Sequence, residues 1–381
     1  MGDKVKTVIA SILKPIDDTR MYEKFGLTLR QTNRYEVNII GFTSKNPPQD
    51  NKIRFYSIFN FNSTSTKRWL ASLTYFVYLM RIKPKLIIVT TFELLPFTIF
   101  YKIIHSNVRI VYDIQENYAL NFLSNRNKSY LTKMVGYIIR GIEHLSQRYI
   151  DLNILAELTY AKELSFLDKP VEFILNKYKV VDLQHITLPS TLINIAEKSE
   201  LVFILNGTIS KNYGIYETLA FAKELSMCIP KLLLIVVGHV TEVDLYQYLR
   251  QYEQQNSHVY CYIDTSPISH LILLKAVELA DFGIIAHRLV DSIKDCFPTR
   301  IYEYMAFRKP FILQDNPLWT TYCQDWQCSI PVDFSNFNIQ EVLSAIKNTN
   351  FYPNGFSQHI YWNSEAKKLI EAIDSTNGTK H

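Results

Sequence analysis

Hydrophobic positions along this chain come in short unbroken runs rather than in strict alternation. KVKTVIASI, EVNIIGF, PKLIIVT, VRIVYDI and DLNIL in the first half each read as a strand, as do LVFILNG, KLLLIVVG, HVYCYI and DFGIIA in the second. Runs of this kind suit parallel strands covered on both faces. Between them lie segments of helical period, over residues 17–31, 65–82, 128–147, 214–226, 241–254, 268–280 and 298–307. Strands alternating with helices predict α/β, doubly wound parallel sheets. The rhythm breaks over NKYKVVDLQHITLPSTLINIAEKSE and resumes at Leu201. The expectation is two Rossmann-like domains, residues 1–177 and 201–355, with a linker over 178–200 and a closing helix and tail over 356–381. Ligands of such sheets bind outside the carboxyl ends of the strands. A shared site is therefore expected in a cleft across which the two domains face each other.

Composition narrows the class. With 48% hydrophobic and 20% charged residues among 381, the chain has the means to bury two cores and is not a disordered chain. The longest apolar runs, such as WLASLTYFVYLM from Trp69 to Met80, fall short of the ~20 residues of a membrane span. The opening MGDKVKTVIASILKP lacks the apolar core and cleavage site of a secretory signal, and Lys6 stands where myristoylation requires Ser or Thr. Five cysteines (Cys228, Cys261, Cys296, Cys323 and Cys328) with no CxxC pair imply reduced thiols, a cytoplasmic setting and no zinc site.

The net charge of +5 hides an asymmetry: residues 1–177 carry +10 and residues 178–381 carry −5. The halves therefore suit different partners. The basic half has no recognition helix, zinc finger or aromatic RNA-binding signature, which sets nucleic acid aside. Two of its stretches, 65–85 and 126–149, interleave Lys and Arg with Trp, Tyr and long aliphatics. That pattern suits a helix with one core-facing and one solvated basic side, and the alternative is contact with the anionic inner face of a membrane.

The strongest chemical signal is HRLVDSIKDCFPTRIYEYMAFRKPFIL. Pro298 fits the first position of a helix, where its missing N–H costs nothing. The amides of Thr299 and Arg300, with the helix dipole, make an anion site, and the side chains of Arg288 and Arg300 add charge. Glu303, one turn on, is placed to accept hydrogen bonds from ribose hydroxyls; the bland alternative is that Glu303 and Tyr304 decorate a surface helix. FPTRIYEYMAFRKPFI resembles the nucleotide-binding segment of family 4 glycosyltransferases, which have the GT-B fold. Their pattern sets two acids seven residues apart; Asp295 and Glu303 hold that spacing, with Asp in place of the usual Glu and Arg308 where Gly is common.

LVFILNGTISKNYGIYETLAFAKEL resembles the opening strand and helix of the same nucleotide domain. By that resemblance Gly207 lets the backbone approach a diphosphate and Gly214 opens the helix, unless both are ordinary turn glycines. The family's Arg after the first Gly and Lys before the second are Thr208 and Tyr213 here, and Lys211 and Arg300 are the expected replacements. KLLLIVVGH and YIDTSPISHLILLKAVELADFGIIAH match further family stretches and put Ile263 and Asp264 beside the base. His239 and His270 read as structural, whereas His287, ending a strand, is a site candidate.

In the first half, SILKPIDDTRMYEKFG and IVYDIQENY resemble the acceptor domain. Asp17 and Asp18 either cap a helix or meet the acceptor; Arg20 and the strand-end Glu93 are further acceptor-side candidates. VYDIQENY resembles a Y-D-x-H-E stretch, making Asp113 and Glu116 catalytic candidates beside Asp295, with Gln115 where the family has His. WNSEAKKLIEAI resembles the segment that crosses back onto the first domain. No D-x-D motif occurs. The resemblance implies a retaining, metal-independent transfer, without obligatory cofactor, from a nucleotide-diphosphate sugar to a glycan or lipid-linked acceptor. Two readings stay open beside it: a nucleotide-sugar epimerase of the same fold, and a catalytically weak partner subunit, the latter suggested by Thr208, Tyr213 and Gln115.

Overall fold

The apolar runs form two wholly parallel sheets in a computed structural model that describes residues 4–44, 47–59, 68–123, 129–291, 293–355 and 358–376. The chain divides into unit 1, Met1–Lys179 with Trp362–His381, and unit 2, Val180–Tyr361. Unit 1 holds β1 (Val5–Pro15), β2 (Tyr35–Phe42), β3 (Ile53–Phe59), β4 (Leu86–Val89), β5 (Arg109–Ile114), β6 (Leu152–Leu155) and β7 (Val171–Phe173), in the order β3-β2-β1-β4-β5-β6-β7. Unit 2 holds β8 (Leu201–Ile209), β9 (Leu232–Val240), β10 (Val259–Asp264), β11 (Phe282–Ile285), β12 (Phe311–Gln314) and β13 (Ser329–Val332), in the order β10-β9-β8-β11-β12-β13. Both sheets run outward from their first strand and then return to its other side. The order therefore reverses between β1 and β4 in one unit and between β8 and β11 in the other, where a doubly wound sheet opens a crevice at its carboxyl edge.

Branched side chains on both faces explain the parallel pairing. In unit 1, Ile9, Ile39, Ile88 and Val111 are fully buried on one face and Val8, Ile40, Ile87 and Ile110 on the other; in unit 2, Phe203, Leu234, Ile284 and Ile312 line one face and Ile204, Ile235, Ile285 and Leu313 the other. The helices follow the periodic segments closely: the expected 214–226 is Ile215–Cys228, and 268–280 is His270–Leu279. The expected helix starts at 65–67 and 128, residues 356–357 and the tail beyond 376 lie outside the described residues.

Elements without a clear period leave little trace in the sequence. β3 and β13 lie at sheet edges and mix exposed with buried positions, β7 is three residues long, and β12 follows the helix Thr299–Ala306 after only a short turn. The helix Leu95–Ile104, LPFTIFYKII, is apolar almost all round. The stretch 178–200 contains the helix Ser190–Glu197, anchored by the fully buried Leu192 and grouped with unit 2.

The closing helix Trp362–Ser375 packs in unit 1, far from it in sequence. Trp362 is buried, stacks on Phe25 at 5.9 Å between ring centroids, and donates its indole N–H to Thr28 Oγ1 at 2.9 Å. Glu365, wholly buried one turn on, accepts the Leu175 amide at 2.8 Å and pairs with Lys177 at 2.8 Å. Burial, the largest influence on this carboxyl, acts to raise its pKa; the bonds from Lys177 and the Leu175 amide outweigh it and hold it below its ordinary 4.5. Replacing Trp362 removes a fully packed aromatic. Trp362→Ala is expected to cost about 3–5 kcal/mol of folding stability in urea titrations. Lys367→Ala on the exposed face of the same helix should stay within about 0.5 kcal/mol. Equal effects would show that the helix is not part of this core.

Candidate nucleotide site

At the carboxyl edge of unit 2, two strand-end glycines bring backbone unusually close to backbone. Gly207 (φ +100°) in β8 and Gly238 (φ +157°) in β9 are register partners. A Cβ on Gly238 would lie 1.8 Å from the Gly207 carbonyl oxygen, so no other residue fits. A Cβ on Gly207 would lie 2.9 Å from the Arg300 guanidinium. Gly214 (φ +77°) precedes the helix Ile215–Cys228, and a Cβ there would strike the Ala286 carbonyl at 1.7 Å. The loop after β8 is thus pressed against the end of β11.

Arg300 is the centre of this edge. It stands in the first turn of the helix Thr299–Ala306; Pro298 occupies the flanking cap position, one residue outside its expected place, and no side chain caps the helix. Arg300 is only 9% exposed. One guanidinium nitrogen donates to the Thr208 carbonyl at 3.1 Å, another lies 3.5 Å from His287 Nε2, and the group sits 5.7 Å from the Tyr213 ring centroid. Among the described residues it pairs with no carboxylate. His287, directly after β11, is buried between the Tyr213 and Trp319 rings. Burial first, then the Arg300 charge, pushes its pKa well below the ordinary 6.5, so the imidazole is neutral and adds no counter-charge.

Glu303, one turn along the helix, is held from two sides. His270 Nε2 lies 3.0 Å from Oε1, and Asn206 Nδ2 donates to Oε2 at 3.4 Å. Asn206 Oδ1 in turn accepts the buried Tyr304 hydroxyl at 2.7 Å. A Cβ on Gly283 would strike the Tyr304 ring at 2.3 Å, so glycine there seats the helix against β11. Glu303 and Arg300 therefore share one helix end with fixed orientations.

The other predicted residues of unit 2 lie around this edge in varied states. Thr208 is exposed, and its carbonyl serves Arg300. Lys211 is exposed with Glu242 at 3.9 Å, and Arg288 is drawn 2.6 Å from Glu217. Ile263 is buried; Asp264 is exposed and accepts the Ser266 amide and hydroxyl. Asp295 is exposed in the turn before the helix. That turn is pinned by Trp319 Nε1–H to the Cys296 carbonyl at 2.8 Å and Asn316 Nδ2–H to the Lys294 carbonyl at 2.8 Å. Arg250 pins the end of β10 by donating to the Cys261 and Ile263 carbonyls. Asn206, Gly238, Arg250, Asn316 and Trp319 were not singled out from sequence. Only Gly238 left a signal there, as a strand-end Gly matching that of β8.

In unit 1, Asp18 caps the helix Thr19–Gly26, accepting the Arg20 and Met21 amides at 3.0 Å. Asp17 accepts the Ser44 hydroxyl. Arg20 is buried and engages Asp113 through Nε at 2.9 Å and Nη2 at 2.7 Å, while Nη2 also reaches the Ile174 carbonyl. Asp113, wholly buried, accepts Gln115 Nε2 as well, so Gln115 orients the carboxylate. Glu93 is buried just beyond β4, and Glu116 is exposed beyond β5. Among the described residues no group of three His, Cys, Asp or Glu side chains converges as metal ligands would.

No protein-family model and no curated protein matches the sequence. Solved structures do match over nearly the whole chain. A sucrose-phosphate synthase from Thermosynechococcus elongatus is 13% identical with a TM-score of 0.70, over 98% of this chain and 99% of that one. Anabaena HepE in complex with UDP is 14% identical at 0.63, over 97% and 100%. The catalytic domain of starch synthase IV from Arabidopsis thaliana, bound to ADP and acarbose, is 11% identical at 0.68, over 98% and 99%. The fold is the GT-B type. At these identities the likeness is one of fold.

The neutral state of His287 has a measurable consequence. Unfolded, this group gains a proton as the pH falls through 6.5; folded, it does not until well below. Its contribution is therefore complete above pH 6.5 and is lost as the pH falls below it, by up to about 1.4 kcal/mol per pH unit. Urea titrations at pH 7.5 and 5.5 should show a steeper loss for the parent than for His287→Gln. An identical loss in both would contradict a neutral, buried His287.

Proposed function

We propose that this chain is a glycosyltransferase that uses a nucleotide-diphosphate sugar, and that unit 2 binds the donor. The observation that carries the reading is Arg300, a buried guanidinium with no carboxylate partner among the described residues, at a helix N-terminus beside the tight glycine backbone of β8 and β9. A buried charge without a counter-ion is costly, and a diphosphate supplies one with matching geometry. Arg300 then takes the place of the family cations that Thr208 and Tyr213 do not provide. The UDP of HepE and the ADP of starch synthase IV support a nucleotide at this kind of fold.

In this reading the Thr299 and Arg300 amides and the Arg300 side chain hold the diphosphate, and as it departs they stabilise the charge it gains. No metal step is needed for that role. Glu303, oriented by His270 and Asn206, accepts the ribose hydroxyls, while Ile263 and Asp264 border the base. Asp295 faces the donor sugar, where positive charge develops as the bond to the diphosphate breaks. Asp113 acts through Arg20, which it holds; Glu116, Glu93, Asp17 and Asp18 stay as acceptor-side candidates. The transfer is retaining, to a glycan or lipid-linked acceptor, and the family 4 resemblance rests on FPTRIYEYMAFRKPFI.

Calorimetric titration with UDP, ADP and GDP tests the reading. Charged hydrogen bonds of about 1.5–3 kcal/mol translate into roughly ten- to a hundred-fold in affinity. Arg300→Ala and Glu303→Ala should each lose that much for the nucleotide that binds. Asp295→Asn should bind it like the parent and lower kcat once the donor is known. Binding by none of the three nucleotides, or equal binding by parent and Arg300→Ala, would overturn the assignment of the site.

A further inference from the structure

Three helices of unit 1 carry apolar side chains on the side turned away from the core. Arg68–Ile82 buries Ala71, Tyr75 and Leu79 against the sheet, yet exposes Leu70, Leu73, Val77 and Met80, which also lie at helical spacing. Leu95–Ile104 buries Leu95, Thr98 and Tyr101 and exposes Phe100, Ile103 and Ile104. Tyr130–Ser146 exposes Leu131, Met134, Val135, Ile138 and Leu145 along one stripe. The first helix packs on the second and the second on the third, with Phe76 and Phe100 in contact at 5.4 Å, so the stripes form one face. Ile103 is 60% exposed, Leu131 68% and Leu145 74%. A helix apolar on both sides is ordinarily covered on both.

Charge decides what covers it. The three helices contain one acidic residue, Glu143, and that carboxyl is buried; of their basic residues Arg81 is exposed, whereas Lys102 is paired with Asp151 and Arg140 is turned toward Asn117. Exposed Lys83 and Lys85 follow the first helix, and exposed Arg148 follows the third. Tyr130 and Tyr137 are also exposed on the third helix, adding amphipathic rings. An apolar face with no exposed carboxylate, a basic rim and tyrosines meets the chemistry of an acyl boundary below anionic headgroups. No helix among the described residues is long and apolar enough to cross a membrane, so the contact is peripheral.

We infer that this three-helix face docks unit 1 on an anionic lipid surface. The inference stands apart from the donor reading, since neither uses the residues of the other. The full-length protein is mixed with vesicles of phosphatidylcholine, with and without phosphatidylglycerol, and sedimented at low and high salt. It should pellet with the anionic vesicles, remain in solution with the neutral ones, and be released as salt shortens the screening length from ~10 Å to ~3 Å. Ile103→Glu/Leu131→Glu should weaken pelleting at least tenfold. Gly141→Glu puts a charge on the same stripe where a Cβ meets nothing within 4 Å, so it keeps the packing and should weaken pelleting as well. Unchanged melting temperature and far-ultraviolet circular dichroism would mark the variants as folded. Failure to pellet with anionic vesicles, equal pelleting with both kinds, or unimpaired pelleting by folded Gly141→Glu would overturn the inference. A parent dimer in sedimentation velocity, made monomeric by Gly141→Glu, would also overturn it, giving the face to a second copy.

Discussion

Two arginines lie buried at the carboxyl edges of the two sheets, and they are treated in opposite ways. Arg20 meets a fully buried carboxylate, Asp113, whose own orientation is fixed by Gln115. Arg300 meets a carbonyl, a neutral imidazole and a ring face. Removing a guanidinium from water is tolerable when a charge and well-aligned acceptors replace the water. Unit 1 supplies that replacement from its own chain. In unit 2, among the described residues, the compensation is dipolar only. The proposed counter-charge is therefore a ligand, and Gly207, the helix end and the depressed pKa of His287 take their place in the account through Arg300.

Rigidity makes such an arrangement sustainable. Gly207, Gly214, Gly238 and Gly283 each stand where a Cβ would strike backbone, a guanidinium or a ring. The loop after β8, the end of β11 and the start of the Thr299–Ala306 helix are thereby locked together. Trp319 and Asn316 extend the lock to the turn that carries Asp295. In the proposed reaction an edge so preorganised would need little rearrangement to stabilise charge on a departing group, which is where electrostatic catalysis gains most.

Much of the architecture was legible because parallel strands buried on both faces leave unbroken apolar runs, as LVFILNG and KLLLIVVG do. β3, with exposed positions along IRFYSIF, leaves a weaker trace. LPFTIFYKII has no polar face from which a period could be read, and the same property gives unit 1 its exposed apolar side. Local chemistry was partly legible too. An Asp before a helix left capping and acceptor contact open, and Asp18 caps. Long-range pairings were not: Arg20 and Asp113 are 93 residues apart, and Glu303 finds His270 33 residues away. Nothing in either local sequence announces the partner, since the sheet order creates the proximity.

The most direct measurement is a crystal structure with the nucleoside diphosphate that binds. Phosphate oxygens are expected at about 2.7–3.2 Å from the Arg300 guanidinium and from the first amides of the Thr299–Ala306 helix, with the ribose hydroxyls on Glu303. A diphosphate bound elsewhere, with Arg300 still confined to Thr208, His287 and Tyr213, would contradict it.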